Sequence, residues 1–282
     1  MTICIAAVAE KRHIVMAADR TLTLTLEPEV FAHRQSSKLY EVNPGFLIGV
    51  SGSPLHTPEF LDELRPIGKK GRSMIDRISD ALLQVRRKEM ERGILHRFAL
   101  DYEDYEDLIA KQSLSEVHAR IIGEQMDEYH VCMHVVAGVV DARGKASVFS
   151  ADDCNMIQGG RVPKGVFCHD SVGWVSTGSG SDYADEVLAE ANVNSETPLD
   201  EVIFHVFEAK KNSEQALGVG RETDIRVILS AKKNVRLTAD QITALEKLRE
   251  RKKARAEKIQ AGSIGEARKL LAPVTRGKGR RR

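Results

Sequence analysis

Short apolar runs separated by charged or turn-forming residues open the chain and predict two antiparallel hairpins. Residues 2–9 and 14–18 flank a charged Glu-Lys-Arg segment, a pattern typical of paired strands. Residues 38–42 and 46–50 flank an Asn-Pro-Gly sequence, in which Pro and Gly occupy the positions that suit a type II turn. Four strands are therefore expected within about the first fifty residues.

Apolar positions at helical spacing follow the hairpins, and a second group of strands follows these helices. The first helical patterns cover 58–92, with a break near Gly71, and 102–126. Two later helices are expected at 182–191 and 198–212. The later strands are expected at 130–140, 146–149, 165–168, 173–176 and 225–229. This order of elements favours an α+β fold with segregated layers over a parallel βαβ sheet.

The even charge balance of the whole chain conceals an uneven distribution. The 282 residues carry 42 Lys and Arg against 41 Asp and Glu, and 42% are hydrophobic, as in an ordinary globular protein. Residues 231–282 hold 17 of the basic but only 5 of the acidic side chains, so an acidic domain over 1–230 precedes a basic tail. Thr238 and Gln241 form a capping-box pattern that predicts a tail helix from about 239 to about 260, with a disordered end beyond it.

Cysteine usage and the N-terminal residues indicate a compartment. Cys4, Cys132, Cys154 and Cys168 lie far apart without a C-x-x-C pair, which is typical of a reducing environment and offers no disulfide or zinc framework. The N-terminus lacks a basic region ahead of its short apolar run, and no stretch approaches the length of a membrane helix. We therefore expect a cytoplasmic protein without membrane association.

Side chains that can carry chemistry gather where the two predicted hairpins end. A first turn centred between residues 10 and 11 would make Thr2 face Asp19 across the hairpin. The second hairpin would place Lys38 opposite Ser51 and beside Gly52. A threonine, an aspartate, a lysine and a glycine would then lie together at the strand ends.

Thr2 has a further property because it follows the initiator methionine. Its small size permits removal of Met1, which would give one residue both a hydroxyl and a free α-amine. The ordinary pKa of an α-amine is about 7.7–8.0, which suits it for taking a proton from the hydroxyl near neutral pH. This is the threonine form of an activated nucleophile.

Thr2 and the segments AADR, SSKLYEV, IGVSGS and STGSGSDYADEVL resemble, in order and approximate spacing, the catalytic β-type subunits of the proteasome and related bacterial peptidases. These proteins belong to the N-terminal-nucleophile (Ntn) hydrolases, and the resemblance covers most of residues 2–230. It implies a four-layer αββα sandwich, here with an extended helical insertion, and a homo-oligomeric ring. It also implies hydrolysis of peptides or unfolded proteins without a metal or organic cofactor and, by analogy only, an ATPase partner.

The resemblance assigns roles to individual residues. Thr2 would be the nucleophile, with its α-amine as general base, and Lys38 would lower the proton affinity of both groups. Asp19 would orient that lysine. Gly52 would donate its backbone N–H to the oxyanion, because substrate must approach the backbone closely there. Ser179 would hydrogen-bond near the terminal amine.

One part of the family's pattern has no clean counterpart. The family carries an Asp and a Ser before the last strand that support the amine, and the nearest residues here are Ser213 and Glu214. A noncatalytic ring-forming or scaffold subunit of the same fold is therefore the alternative function. Its basic tail would bind an acidic partner or nucleic acid, although the basic run holds no aromatic side chain to stack on a base.

Several of these residues also have plainer interpretations. Asp19 and Lys38 could form a purely structural ion pair. The Gly-Ser run 178–181 could cap and pack against a helix or bind phosphate, although it is no P-loop because no Lys-Ser/Thr follows. His130, Cys132 and His134 would alternate on one face of a strand over 128–136 and could bind metal or simply pack.

Cys4 lies two residues from the proposed nucleophile, on the same face of the first strand. It could border the site, although packing in the core is the plainer interpretation.

Overall fold

Two five-stranded antiparallel sheets and a separate two-stranded sheet make up the β-structure of the described residues. The structure is a computed structural model that describes residues 2–26, 30–53, 55–65, 73–152 and 165–276. The strands are β1 (Cys4–Ala9), β2 (His13–Asp19), β3 (Thr21–Leu26), β4 (Val30–Gln35), β5 (Leu39–Asn43), β6 (Phe46–Gly52), β7 (Met133–Val140), β8 (Ala146–Asp152), β9 (Val166–Cys168), β10 (Trp174–Thr177), β11 (Thr223–Ser230) and β12 (Lys233–Arg236). The first sheet has the order β10-β1-β2-β11-β12, the second β5-β6-β7-β8-β9, and β3 pairs with β4.

Seven α-helices occur in the described part of the chain. They are α1 (Thr57–Leu64), α2 (Met74–Gly93), α3 (Tyr102–Ala110), α4 (Glu116–Asp127), α5 (Ser181–Glu190), α6 (Leu199–Ser213) and α7 (Ala239–Arg276). The single helix predicted over 102–126 is two helices. Each has its own N-cap, since the side chains of Asp101 and Ser115 accept the backbone N–H groups of Asp104 and His118.

The two large sheets face each other across an apolar core. Cys4 and Met16 of the first sheet meet Leu47 and Val136 of the second in one buried cluster. Because side chains alternate along a strand, the opposite face of the second sheet carries other apolar residues, and these pack against α1 and α2. Helix α6 packs against β1 and β2 of the first sheet.

One end of this pair of sheets collects the predicted site residues. Thr2 precedes β1, while Asp19 and Thr177 end β2 and β10, the two antiparallel neighbours of β1. In the second sheet, Lys38 precedes β5 and Gly52 ends its neighbour β6. The antiparallel pairing therefore places strand starts beside strand ends on the same side of the molecule.

The first hairpin lies one residue out of the predicted register. Cys4 pairs with Ala18, and Asp19 donates its N–H to the carbonyl oxygen of Ile3 at 3.3 Å. The prediction that Thr2 faces Asp19 is therefore wrong. The cause is the turn, which contains three residues between the paired strands instead of two.

The second hairpin is shifted as well. Leu39 pairs with Gly49, and a bulge in β5 changes the register toward the turn. Lys38 accepts the N–H of Val50 with its carbonyl oxygen at 3.1 Å. The predicted pairing of Lys38 with Ser51 is therefore wrong by one residue.

Three strands occur where none is predicted. Strands β3 and β4 bring the number in the first fifty-two residues to six instead of four, although Thr and Leu alternate through β3 as in a half-apolar strand. Strand β12 pairs with β11 and extends the first compact unit to Leu237, beyond the predicted boundary at 230.

The second unit, Thr238–Arg282, contains α7. Its capping box is present, because the Thr238 N–H donates to the Gln241 side chain at 2.8 Å and the Gln241 N–H donates to the Thr238 hydroxyl at 3.3 Å. The helix continues to Arg276, well past the predicted end near 260. No helix in the described ranges is long and apolar enough to cross a membrane.

Candidate active site

Three of the predicted site residues meet in a buried polar cluster. Lys38 Nζ donates to the two carboxylate oxygens of Asp19, at 2.8 and 3.0 Å, and to the hydroxyl oxygen of Thr2. Lys38 is 3% exposed, Asp19 is fully buried and Thr2 is 6% exposed. Buried charges persist only when they are paired and hydrogen-bonded. The ammonium group therefore links a fixed carboxylate to the threonine hydroxyl.

Asp19 is also the acceptor for three backbone amides. Its Oδ1 accepts the N–H of Ile3 at 3.1 Å, and its Oδ2 accepts those of Thr21 at 3.2 Å and Gly220 at 3.1 Å. These amides come from the residue before β1, the first residue of β3 and the loop before β11. The carboxylate thus connects three segments of the chain, and its orientation toward Lys38 is fixed by them.

Ser179 lies at the backbone nitrogen of Thr2. The Thr2 nitrogen donates to Ser179 Oγ at 3.2 Å, and that hydroxyl donates to the Thr2 carbonyl oxygen at 3.4 Å. The neighbouring Gly178 has φ of 112°, and a Cβ there would collide with the Thr2 carbonyl oxygen. The N-cap of α5 is Gly180, without a side-chain cap, so the Ser179 hydroxyl binds Thr2 and does not cap the helix.

A pocket of about 310 Å³ opens beside Thr2. Gly52 lies in its wall with φ of 87°, and a Cβ at this position would collide with the carbonyl oxygen of Cys132. Only glycine therefore fits without strain. The lining residues are small or polar: Thr2, Ser51, Gly52, His134, Thr177, Gly178 and Ser179.

His134 lines this pocket and forms a side-chain pair with Asp152, a contact that the sequence pattern does not predict. His134 Nδ1 lies 2.9 Å from Asp152 Oδ2. The sheet register places Ser51 opposite His134, and His134 opposite Asp152. The Ser51 hydroxyl is buried and has no hydrogen-bond partner among the residues the structure describes. The sequence signal for this position is the alternation of side chains along β7. His134 lies on the same face as Val136, which packs in the core between the sheets.

The metal interpretation of the His130, Cys132 and His134 set does not hold. Strand β7 begins only at Met133, and Cys132 has φ of 53°, which breaks the alternation that would align the three side chains. Within the described residues, no group of three or more His, Cys, Asp or Glu side chains is placed to hold a metal ion.

Cys4 packs in the core instead of bordering the pocket. Its Sγ donates to the carbonyl oxygen of Val50 at 3.6 Å. Burial raises the pKa of its thiol to about 12, with a smaller opposing contribution from Lys38. The thiol therefore stays protonated and unreactive near neutral pH. Cys154 lies outside the described residues.

Ser213 and Glu214, the nearest counterparts of the missing Asp and Ser, bond to another residue. The Ser213 hydroxyl donates to the carbonyl oxygen of Lys210 at 2.6 Å, and Glu214 Oε1 accepts from Lys210 Nζ at 2.5 Å. Lys210 is fully buried, and no sequence pattern had indicated it. Burial lowers the pKa of its ammonium group, while the Glu214 carboxylate opposes that shift.

Comparison with known proteins identifies the fold. No family model matches the sequence, and no curated protein matches it. The chain is similar to the Anbu complex of Pseudomonas aeruginosa, solved as a helical assembly, with a TM-score of 0.61 and 14% identity over 92% of this chain and 95% of that one. A second similarity is to eukaryotic HslV from Trypanosoma brucei, with a TM-score of 0.48 and 13% identity over 80% and 98% of the two chains. The first similarity shows that this chain shares the proteasome-like fold of the Anbu protein.

Proposed function

We propose that this chain is a threonine-type peptidase in which Thr2, freed by removal of Met1, is the nucleophile. The observation that carries the proposal is the buried Lys38 ammonium, which is held by Asp19 and donates to the Thr2 hydroxyl oxygen. A fixed positive charge there stabilises the negative charge that develops on this oxygen during attack on a carbonyl. A purely structural ion pair would not need the hydroxyl as its third member.

The proposed reaction has two halves. The α-amine of Thr2 takes the hydroxyl proton while Oγ forms a bond to the scissile carbonyl carbon, whose π electrons move to the carbonyl oxygen. Collapse of this intermediate breaks the C–N bond, passes the proton to the leaving amine and leaves an ester on Thr2. Water then attacks the ester with the amine as base, which releases the acid and restores the hydroxyl.

Two neighbouring groups have proposed supporting roles. Ser179 Oγ, 3.2 Å from the Thr2 nitrogen, would orient the amine lone pair. Gly52, in the pocket wall beside Thr2, would donate its N–H to the oxyanion. A pocket of about 310 Å³ is large enough for one side chain of a peptide or unfolded protein. No metal or organic cofactor takes part in these steps.

The wider architecture supports related proposals. Helices packed on the outer faces of two facing sheets support the four-layer αββα sandwich. The division into domains of 1–230 and 231–282 is kept, with the boundary moved to Leu237. The helical assembly formed by the similar Anbu protein supports a homo-oligomer. We propose self-association on this basis.

One observation favours a second candidate, a noncatalytic subunit of the same fold. Ser213 and Glu214 hydrogen-bond around Lys210 instead of the Thr2 nitrogen. The amine would then depend on Ser179 for its orientation. In this case the chain would build an assembly, and its basic tail would bind an acidic partner or nucleic acid.

Intact-mass analysis with a peptide β-lactone, which acylates an activated hydroxyl, separates the two candidates. A peptidase is expected to have lost Met1 and to gain one inhibitor mass at Thr2. Thr2→Val, which keeps the shape but lacks the hydroxyl, should gain none. Thr177→Val, in the same pocket wall, is the matched control and should still react. Retention of Met1, or equal labelling of Thr2→Val, would contradict the proposal.

A further inference from the structure

A second buried lysine, Lys210, is connected to Asp19 through one intervening residue, Gly220. Lys210 Nζ donates to Glu214 Oε1 at 2.5 Å and to the carbonyl oxygens of Gly220 at 2.8 Å and Arg221 at 3.0 Å. An ammonium group has three N–H donors, so each of them has an acceptor here. The lysine therefore ties the end of α6 to the loop that leads into β11.

The same loop holds Asp19. Gly220 accepts from Lys210 with its carbonyl oxygen and donates its N–H to Asp19 Oδ2 at 3.1 Å. There is no spare room around it, because a Cβ on Gly220 would collide with the Thr21 side chain and lie 3.0 Å from Asp19 Oδ2. A small rotation of this residue would therefore displace the amide from the carboxylate.

The end of α6 also supports the other side of Thr2. A Cβ on Gly180, next to Ser179, would lie only 2.7 Å from Ser213 Cβ, so the two backbones pack closely. The Ser213 hydroxyl in turn donates to the Lys210 carbonyl oxygen at 2.6 Å. One helical turn thus contacts both the loop that holds Asp19 and the loop that carries Ser179.

Stability alone gives little reason for a lysine at this place. Burial of an ammonium group is costly, and a well-packed apolar side chain is often at least as stabilising as a buried ion pair. Desolvation lowers the pKa of the Lys210 ammonium group, and the positive charge of Lys211 adds to this lowering. The carboxylates of Glu214 and, more weakly, Asp19 raise it. The directed hydrogen bonds to two carbonyl oxygens are what an apolar residue could not supply.

We propose that Lys210 is a positioning residue for the nucleophile. It holds Gly220 so that the Gly220 N–H orients Asp19, which orients the Lys38 ammonium on the Thr2 hydroxyl. Lys210 acts through these residues and not on the reacting atoms. The kinetic part of this inference rests on the proposed function of Thr2, whereas the structural part does not.

Lys210→Met tests the inference, with Val206→Ala as the matched control. Val206 is fully buried on the same helix, so its truncation destabilises α6 without removing the hydrogen bonds to the loop. Two measurements are made on each purified full-length protein: native-state hydrogen exchange at the amides of Gly220, Thr21 and Ile3, and the rate of Thr2 acylation by the β-lactone as its concentration is varied.

In Lys210→Met, exchange at Gly220 is expected to accelerate more than exchange in the sheet cores. The maximal acylation rate is expected to fall by about tenfold or more, with an unchanged half-saturating concentration, because positioning and not binding is lost. Val206→Ala should reduce protection broadly and leave the maximal rate within about twofold of wild type.

Unchanged exchange at Gly220, or an unchanged maximal rate in an active protein, would overturn the inference. Equal effects in Val206→Ala would do the same. Absence of any Thr2 adduct in the wild type would instead refute the proposed function, and the exchange data would still decide the positioning role. If Lys210→Met does not fold, Glu214→Gln should accelerate the same amide, and its failure to do so would count as refutation.

Discussion

The buried pair of Lys38 and Asp19 makes a prediction about stability that does not depend on catalysis. Lys38→Met removes the cation and leaves a fully buried carboxylate. Loss of one partner of a buried pair typically costs about 3–5 kcal/mol. Three backbone amides still donate to Asp19, so we expect a cost near the lower end, about 3 kcal/mol.

The reverse and double substitutions complete the cycle. Asp19→Asn leaves the buried ammonium without its counter-charge and points an NH2 group at donors, so it should also cost about 3 kcal/mol. The double variant has no uncompensated charge. It should therefore be more stable than the sum of the single effects implies, with a coupling energy of about 2–3 kcal/mol.

Urea unfolding of the wild type, the two single variants and the double variant, followed by circular dichroism, measures this coupling. The dependence of the free energy of unfolding on urea concentration is compared among the four proteins. Lys88→Met is the surface control, since Lys88 is 43% exposed and pairs with Glu59 and Glu63, and its cost should stay below about 1 kcal/mol. Single effects that add within about 0.5 kcal/mol would refute the reasoning, because independent sites add in this way.

Three further substitutions or treatments have defined outcomes. Gly52→Ala forces a Cβ onto the Cys132 carbonyl oxygen at positive φ. The free energy of unfolding measured in urea should therefore fall by about 1–3 kcal/mol, and mass analysis should show no Thr2 adduct. Wild-type results in both measurements would contradict this. Burial lowers the pKa of His169 from its ordinary 6.5, so the unfolded state takes up a proton first and stability should fall as pH drops below about 6.5. His169→Gln should flatten that slope, and a slope equal to wild type would argue against it. Iodoacetamide at about pH 8 should modify the exposed Cys132 and Cys168 in the native protein, but it should modify Cys4 only after unfolding. Rapid modification of Cys4 in the native protein would be inconsistent with its buried thiol.

The hairpins show how far sequence patterns reach. Apolar runs locate β1, β2, β5 and β6 to within two residues, because each strand is buried on at least one face. Register is a finer property, set by one residue in a turn or by one bulge. Neither the three-residue first turn nor the bulge in β5 has a clear signature in the chain, so both predicted pairings are off by one.

The site was predictable where its members are polar residues at strand ends. The structure links Asp19, Lys38, Thr2 and Ser179, in that order, by successive hydrogen bonds, and it places Gly52 in the pocket wall. The burial of Lys210 was not predictable, because a helical lysine followed by Lys and Asn is typical of a solvent-exposed helix face. Its burial depends on the loop that returns ten residues later, which is a tertiary contact.

Asp19 explains why the errors of register leave the site intact. Its carboxylate accepts from Ile3 just before β1, from the segment after β2 and from the loop before β11, and it also binds Lys38, which precedes β5 of the second sheet. A side chain that joins four segments does not need to face Thr2 across the hairpin, because the ammonium group of Lys38 spans the remaining distance to the hydroxyl. Only an acceptor with two equivalent oxygens can satisfy three amides and an ammonium together, since asparagine replaces one oxygen with a donor. The geometry around Thr2 is therefore set by tertiary hydrogen bonds to one carboxylate, and a change in any of the segments that supply them, including the loop held by Lys210, should be felt at the nucleophile.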